Sequence, residues 1–123
     1  MEKHKIHLLF ICTANVVRSP VAASLFEKSN KYEARSAGTS LSPDFPNATA
    51  VNQELIDWAD EIIVMSEKED HHATYLSTHF DLKDKKIKVL DIPNIYIVGI
   101  PEHQATLLQI LKQKLAGYLD INK

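Results

Sequence analysis

The sequence predicts an α/β fold, with a four-stranded parallel sheet that carries helices on both faces. Three observations support this prediction. Short apolar runs of strand length alternate with segments of helical character along all 123 residues. The runs are continuously apolar, as in strands buried on both sides. Strands that alternate with helices favour a parallel sheet with right-handed crossovers.

The first half of the chain contains two predicted strand–helix units. Residues 5–11 form a short apolar run that ends in polar residues, which is typical of a buried strand. Ser19 and Pro20 suit the cap and the first position of a helix that continues to about residue 30. A strand, a proline-containing loop and a helix follow, predicted at residues 32–37, 39–47 and 48–59.

The second half repeats the pattern. Residues 61–65 are strongly apolar and are predicted to form the third strand. Ser66 and Glu69 have the spacing of a capping box, which predicts a helix from Ser66 to about residue 78. Leucines at helical spacing predict an amphipathic last helix. The fourth strand and this helix are predicted at residues 87–92 and 102–119.

Composition restricts the classes of protein. The length predicts a single domain over residues 1–123, and a formal net charge of −2 does not suggest a basic surface for nucleic acid. The apolar runs are shorter than the roughly 20 residues of a membrane span. A single cysteine and the lack of a signal-peptide pattern predict a cytoplasmic protein without internal disulfides. The oligomeric state is left open.

The loop after the first strand contains residues that could bind a ligand and react with it. It reads Cys12-Thr13-Ala14-Asn15-Val16-Val17-Arg18-Ser19-Pro20. Successive backbone N–H groups between a strand and a helix start can form an anion-binding nest. The guanidinium of Arg18 can grip two phosphate oxygens, so the predicted ligand is a phosphoryl group held without metal. The predicted phosphate-binding residues are Thr13, Ala14, Asn15, Val16, Val17, Arg18 and Ser19.

The same positive field favours a thiolate on Cys12, which could attack phosphorus and form a cysteinyl-phosphate. Ser19 could donate its hydroxyl to the sulfur when water hydrolyses this intermediate. Asn15 tolerates the left-handed backbone that a tight loop can require. The competing interpretation is that Cys12 is simply a small buried apolar residue.

The loop resembles the signature of low-molecular-weight protein tyrosine phosphatases, Cys-x5-Arg-Ser-Pro, and particularly the short predicted bacterial members. The likeness extends to Ser36-Ala37-Gly38-Thr39, to residues 55–65 and to Asp91-Ile92-Pro93. The resemblance implies that the protein hydrolyses phosphotyrosine in a protein, or a small phosphomonoester, without cofactor or metal. It also implies roles for three catalytic residues, Cys12, Arg18 and Asp91, and for three loop-supporting residues, Asn15, Ser19 and Ser36.

The sequence departs from the family pattern at the loop and at the general acid. Ala14 stands where the family usually has glycine, and Val17 stands where many members carry a second cysteine. The family takes its acid from an Asp-Pro pair, and two alignments compete here. One places Asp91 at the acid position, and the other places Asn94 there, which could not donate the proton.

The segment between Thr39 and Trp58 is shorter than usual, which predicts a shallow pocket or one completed by another subunit. Its predicted rim residues are Phe45, His72 and Tyr96. His71 and His72 are otherwise predicted to lie on a solvated helix face, because no ligand pair at metal-binding spacing accompanies them.

Two rival functions differ in testable ways. A phosphate-loop module that binds without turnover would agree with Asn94 at the acid position. A thioredoxin-coupled arsenate reductase shares the loop but needs further cysteines, which this chain does not have. Val16 resembles the tyrosine-directed members more than the arginine phosphatases of the superfamily, which place threonine there.

Overall fold

The computed structural model describes residues 5–68, 70–93, 95–97 and 99–119. It contains a four-stranded, all-parallel sheet with the strand order β2-β1-β3-β4. The predicted fold class is therefore confirmed. The strands are β1 (Ile6–Cys12), β2 (Tyr32–Gly38), β3 (Glu61–Val64) and β4 (Ile87–Val89).

The helices in the described part of the chain cover the two faces of this sheet. They are α1 (Arg18–Ser24), α2 (Gln53–Trp58), α3 (His72–His79), α4 (Pro101–Lys114) and α5 (Ala116–Leu119). No helix among the described residues has the length and apolar character needed to cross a membrane.

Two apolar cores form because side chains of a strand alternate between faces. Leu8 and Phe10 of β1 point into the core that contains α1 and α4. Leu9 and Ile11 point into the opposite core, which contains α2 and α3. All four side chains are fully buried. Each such burial contributes about 1.5–3 kcal/mol of transfer free energy, so both faces hold β1 at the centre of the sheet.

The starts of two helices differ from the predictions. The prediction that α3 begins at Ser66 is wrong, because this helix begins at His72, and Glu69, the second residue of the predicted capping box, lies outside the described residues. The carboxylate of Glu67 accepts hydrogen bonds from the N–H groups of Ala73 and Thr74. A side chain that precedes the helix therefore satisfies two of the backbone donors in its first turn. Helix α2 begins at Gln53 instead of residue 48, with Asn52 as its cap.

Helix α1 also lacks the predicted serine cap. It starts at Arg18 and ends at Ser24, with Val17 at the cap position and no side-chain capping bond. The hydroxyl of Ser19 instead contacts Cys12 and Asn15. The side chain that was predicted to start the helix therefore belongs to the loop before it.

The strand order places the loop after β1 at a switch point of the sheet. From β1 the chain continues to β2 on one side and later to β3 and β4 on the other. The segments that follow β1, β3 and β4 therefore meet at the carboxyl edge, which is where ligands bind in open parallel sheets.

Candidate active site

The loop between β1 and α1 curls around the sulfur of Cys12. The N–H of Asn15 donates to Sγ over 3.3 Å, and the hydroxyl of Ser19 lies 3.0 Å from Sγ. The loop thus places a backbone N–H and a hydroxyl against the sulfur that the sequence predicts as the nucleophile. Cys12 is 2% exposed, and this exposed part opens into a pocket.

This pocket has a volume of about 200 Å³. The loop provides its floor, and two aromatic side chains, Phe45 and Tyr96, stand at its wall. Cys12 therefore belongs to the apolar core that contains α1 and α4 and also lines this concave site. The lining residues are Cys12, Thr13, Ala14, Val16, Val17, Arg18, Phe45 and Tyr96.

Backbone N–H groups of the loop are available to a ligand. Those of Ala14, Val16 and Val17 have no hydrogen-bond acceptor within the described part of the chain. All three residues line the pocket that contains the sulfur. Because unpaired amides attract anions, their arrangement suits the oxygens of a phosphoryl group.

Asn15 holds the shape of the loop. Its φ of 58° is left-handed, as predicted, while Ala14 is not among the residues with positive φ. The alanine is therefore accommodated without this strain. The amide of Asn15 donates to the hydroxyls of Ser19 and Ser36, each over 2.9 Å, and its oxygen accepts from the N–H of Thr49 over 2.7 Å. The three predicted loop-supporting side chains thus meet in one network.

Gly38, at the end of β2, allows the loop to approach the sheet. A Cβ at this position would lie 2.5 Å from the carbonyl oxygen of Thr13 and 2.9 Å from the nitrogen of Asn15. We expect Gly38→Ala to lower the free energy of unfolding by about 1–3 kcal/mol through overpacking. Hydrolysis of a phosphomonoester, the reaction expected from the sequence, should fall on the order of 10²-fold through displacement of the loop. Urea unfolding and steady-state kinetics measure the two effects.

Gly117 supplies the matched control for this substitution. A Cβ there meets nothing within 4 Å, and the residue lies in α5. Gly117→Ala should leave activity unchanged and stabilise the protein slightly, because alanine is the better helix former. Equal activity of the two alanine variants would contradict the close approach at Gly38.

The guanidinium of Arg18 is buried beside the loop and is held on two sides. Arg18 is 3% exposed. One terminal nitrogen (NH1) donates to the carbonyl of Ile92 over 2.9 Å, and the other (NH2) donates to Oδ2 of Asp70 over 2.6 Å. The Nε–H group donates to no acceptor among the described residues, and it is partly accessible to solvent. Since Arg18 lines the pocket, we infer that this edge of the guanidinium faces it.

Asp70 belongs to the site although no sequence pattern predicts it, and His72 lies elsewhere than predicted. The prediction of a solvated face is correct for the exposed His71, but it is wrong for His72, which is fully buried. His72 does not line the pocket rim either, because its ring lies behind Thr13, with Nε2 3.0 Å from the threonine hydroxyl. No local motif marks Asp70, which reaches Arg18 from 52 residues away.

The position of Asp91 leaves its predicted role as acid open. The residue is exposed, has a left-handed φ of 60° and follows the buried Leu90. It does not line the pocket, although its neighbour Ile92 accepts a hydrogen bond from Arg18. The alternative acid position, Asn94, lies outside the described residues.

Among the described residues, no group of three or more histidine, cysteine, aspartate or glutamate side chains could hold a metal ion. Among the residues that line the pocket, Arg18 carries the positively charged side chain.

The family description "low molecular weight phosphotyrosine protein phosphatase" matches residues 7–54, which include the whole loop. No curated protein matches the chain significantly.

Solved structures match nearly the whole chain. The tyrosine phosphatase Wzb from Escherichia coli K30, in complex with phosphate, has a TM-score of 0.71 at 19% identity, covering 98% of this chain and 100% of that one. A low molecular weight protein tyrosine phosphatase from T. tengcongensis has a TM-score of 0.71 at 22% identity, covering 94% and 100%.

The YwlE arginine phosphatase from Geobacillus stearothermophilus has a TM-score of 0.62 at 23% identity, covering 94% of this chain and 93% of that one. These likenesses confirm the fold predicted from the sequence, and the family match over residues 7–54 agrees with the resemblance of the loop.

Proposed function

We propose that this chain, as a member of the low-molecular-weight protein tyrosine phosphatase family, hydrolyses phosphomonoesters with Cys12 as its nucleophile and Arg18 as its phosphate clamp. One observation supports the assignment of roles: Cys12, Arg18 and three residues whose backbone N–H groups have no acceptor among the described residues all line one small pocket. Such a set of donors beside a sulfur suits a tetrahedral dianion.

The reaction has two steps. The Cys12 thiolate attacks phosphorus, so the sulfur–phosphorus bond forms while the bond to the ester oxygen breaks. The leaving oxygen takes a proton from the general acid. Water then attacks the cysteinyl-phosphate and gives its proton to the same group, now a base, which releases inorganic phosphate and the thiolate. The hydroxyl of Ser19, 3.0 Å from Sγ, stabilises the departing sulfur.

We assign the general acid to Asp91. Its exposed side chain follows β4, and the adjacent Ile92 carbonyl is held by the phosphate-clamping Arg18, so the main chain beside Asp91 borders the site. The acid matters most when the leaving oxygen is a poor leaving group. Asp91→Asn should therefore lower kcat on an alkyl phosphate by about 10²–10⁴-fold, and lower it less on p-nitrophenyl phosphate.

The same variant should lose the basic limb of the pH–rate profile, which pH-dependent kinetics would detect. Asp84→Asn is a matched control, because Asp84 is also exposed and left-handed, with φ 66°. An Asp91→Asn enzyme with an unaltered profile and unaltered leaving-group dependence would remove Asp91 from the mechanism.

We propose phosphotyrosine in a protein as the substrate. Phe45 and Tyr96 stand at the pocket wall, where a phenyl ring can pack between aromatic faces. Val16 presents an apolar side chain to the same pocket. A reducing cytoplasm suits the activity, because the only cysteine of the chain must remain a free thiol.

One observation favours the rival binding module: Asp91 does not line the pocket. Hydrolysis of p-nitrophenyl phosphate by the purified protein separates the two functions. Turnover that disappears in Cys12→Ser supports the enzyme. Binding of inorganic phosphate by a wild-type protein without turnover supports the module.

A further inference from the structure

The buried ion pair between Arg18 and Asp70 belongs to a larger set of contacts behind the loop. The two side chains are 3% and 8% exposed and lie 2.6 Å apart. Burial alone would raise the pKa of Asp70, but hydrogen bonds from Arg18 and Thr13 outweigh this effect and hold the pKa below its ordinary value. Asp70 is therefore a carboxylate at neutral pH, and it is fixed to the group that we assign to clamp phosphate.

The hydroxyl of Thr13 connects this pair to His72. It donates to Oδ2 of Asp70 over 2.5 Å, and it accepts from NH2 of Arg18 at 3.4 Å. Nε2 of His72 lies 3.0 Å from the same oxygen. A hydroxyl offers one proton and two lone pairs, so these contacts use its full capacity.

His72 determines the direction of these hydrogen bonds. Its ring is fully buried, and burial lowers the pKa of His72 to about 4, against the opposing influence of Asp70. The imidazole is therefore neutral at pH 7. Because Nδ1 accepts the N–H of Ser66 over 3.1 Å, the ring proton is on Nε2 and is donated to Thr13. The hydroxyl proton of Thr13 must then point to Asp70.

We propose that Asp70, Thr13 and His72 form a positioning relay that fixes the plane of the Arg18 guanidinium and keeps its Nε edge facing the pocket. The inference rests on the proposed role of Arg18 as the phosphate clamp. Asp70 holds one terminal nitrogen and Ile92 holds the other. Two fixed nitrogens define the orientation of a planar group, so the third edge is set before substrate arrives.

None of the three residues need touch the reacting atoms through its side chain. The carboxylate of Asp70 is already bonded to Arg18 and Thr13, which makes it a partner of the clamp and not an acid for the leaving group. Asp70 and His72 do not line the pocket, and the hydroxyl of Thr13 is directed at Asp70. Their effect on catalysis must therefore pass through Arg18.

A double-mutant cycle on Thr13 and Asp70 tests the relay. Thr13→Val keeps the shape of the side chain but removes its hydroxyl, and Asp70→Asn removes the charge at nearly constant volume. Each should lower kcat/KM on p-nitrophenyl phosphate on the order of 10²-fold, the scale for a group displaced by about 1 Å. The kcat/KM of the double variant should be no lower than that of the less active single variant, because both substitutions interrupt the same chain of contacts to Arg18.

Two further measurements separate positioning from general damage. Thr13→Ser restores the hydroxyl and should recover most of the activity that Thr13→Val loses. In a Cys12→Ser background, calorimetric titration with inorganic phosphate should show about tenfold weaker binding after Thr13→Val or Asp70→Asn, since the oxyanion loses an oriented donor. Thr78→Val, at an exposed position of α3, is the matched control for the loss of a threonine hydroxyl.

The relay is wrong if the two single effects multiply in the double variant, or if phosphate affinity and kcat/KM stay within twofold of the parent protein. It is also wrong if Thr13→Ser behaves like Thr13→Val. These outcomes differ from failure of the proposed function. A wild-type protein that hydrolyses no aryl phosphate would refute that function, while the phosphate titration would still report on the orientation of Arg18.

Discussion

Cys12→Ser should reduce turnover of p-nitrophenyl phosphate on the order of 10⁴-fold or more, the scale on which enzymes lose rate when their nucleophile is removed. The serine hydroxyl occupies nearly the same position, 3.0 Å from Ser19 and within reach of the Asn15 N–H. It differs in chemistry, because an alkoxide is far less accessible than a thiolate at neutral pH. Steady-state kinetics on purified protein measure the loss.

The same variant should still bind inorganic phosphate, which separates a chemical defect from a collapsed loop. The amides of Ala14, Val16 and Val17 and the guanidinium of Arg18 remain in place. Calorimetric titration should therefore give an affinity within a few-fold of the wild type. Retained turnover in Cys12→Ser would assign the chemistry to another group. Lost turnover together with lost phosphate binding would mean that the substitution had disrupted the loop.

Arg18→Ala should damage both activity and stability. Loss of an oriented oxyanion donor costs about 10²–10³-fold in kcat, and Arg18→Ala removes the donor that we assign to phosphate. The substitution also leaves Asp70, 8% exposed, as a buried carboxylate without its cationic partner. Breaking such a pair typically costs about 3–5 kcal/mol of unfolding free energy. Arg18→Lys should keep part of the stability and little of the activity, since a lysine lacks the planar fork.

Two comparisons separate the effects of Arg18→Ala. The chain has one other arginine, Arg35, whose side chain is 51% exposed and lies over the ring of Trp58. Arg35→Ala should leave activity intact. Adding Asp70→Asn to Arg18→Ala should recover stability, because the uncompensated charge is gone, but it should not recover activity. Urea unfolding and kinetics of the double variant report both quantities. Recovery of turnover would show that Arg18 is not the phosphate clamp.

The parts of the site that could be predicted are contiguous in the sequence. Cys12, Asn15, Arg18 and Ser19 lie within eight consecutive positions after an apolar run, so their spacing alone places them on one loop. The strands could be predicted for a similar reason, because burial on both faces demands continuous apolar runs, as in residues 8–11. The helix boundaries were less accurate, since the hydroxyl expected to cap α1 bonds to the loop instead.

The support behind Arg18 could not be predicted because it depends on where α3 begins. A start at Ser66 would have placed Asp70 and the two histidines inside the helix. The backbone of His71 is instead left-handed, and α3 begins at His72. Because the helix begins later than predicted, Asp70 and His72 contact Thr13, which is 57 and 59 residues away in sequence. Side-chain contacts at such separations follow from packing and leave no local pattern.

The covalent intermediate provides the most direct test of the central claim that Cys12 carries the phosphoryl group. Wild-type enzyme would be mixed with p-nitrophenyl phosphate, quenched within milliseconds in acid and digested for mass spectrometry. We expect one phosphoryl group on the peptide that contains Cys12. When hydrolysis of the intermediate is the slower step, a burst of about one p-nitrophenol per enzyme should accompany it. Steady turnover with the phosphoryl group on a histidine or aspartate, and never on Cys12, would contradict this claim.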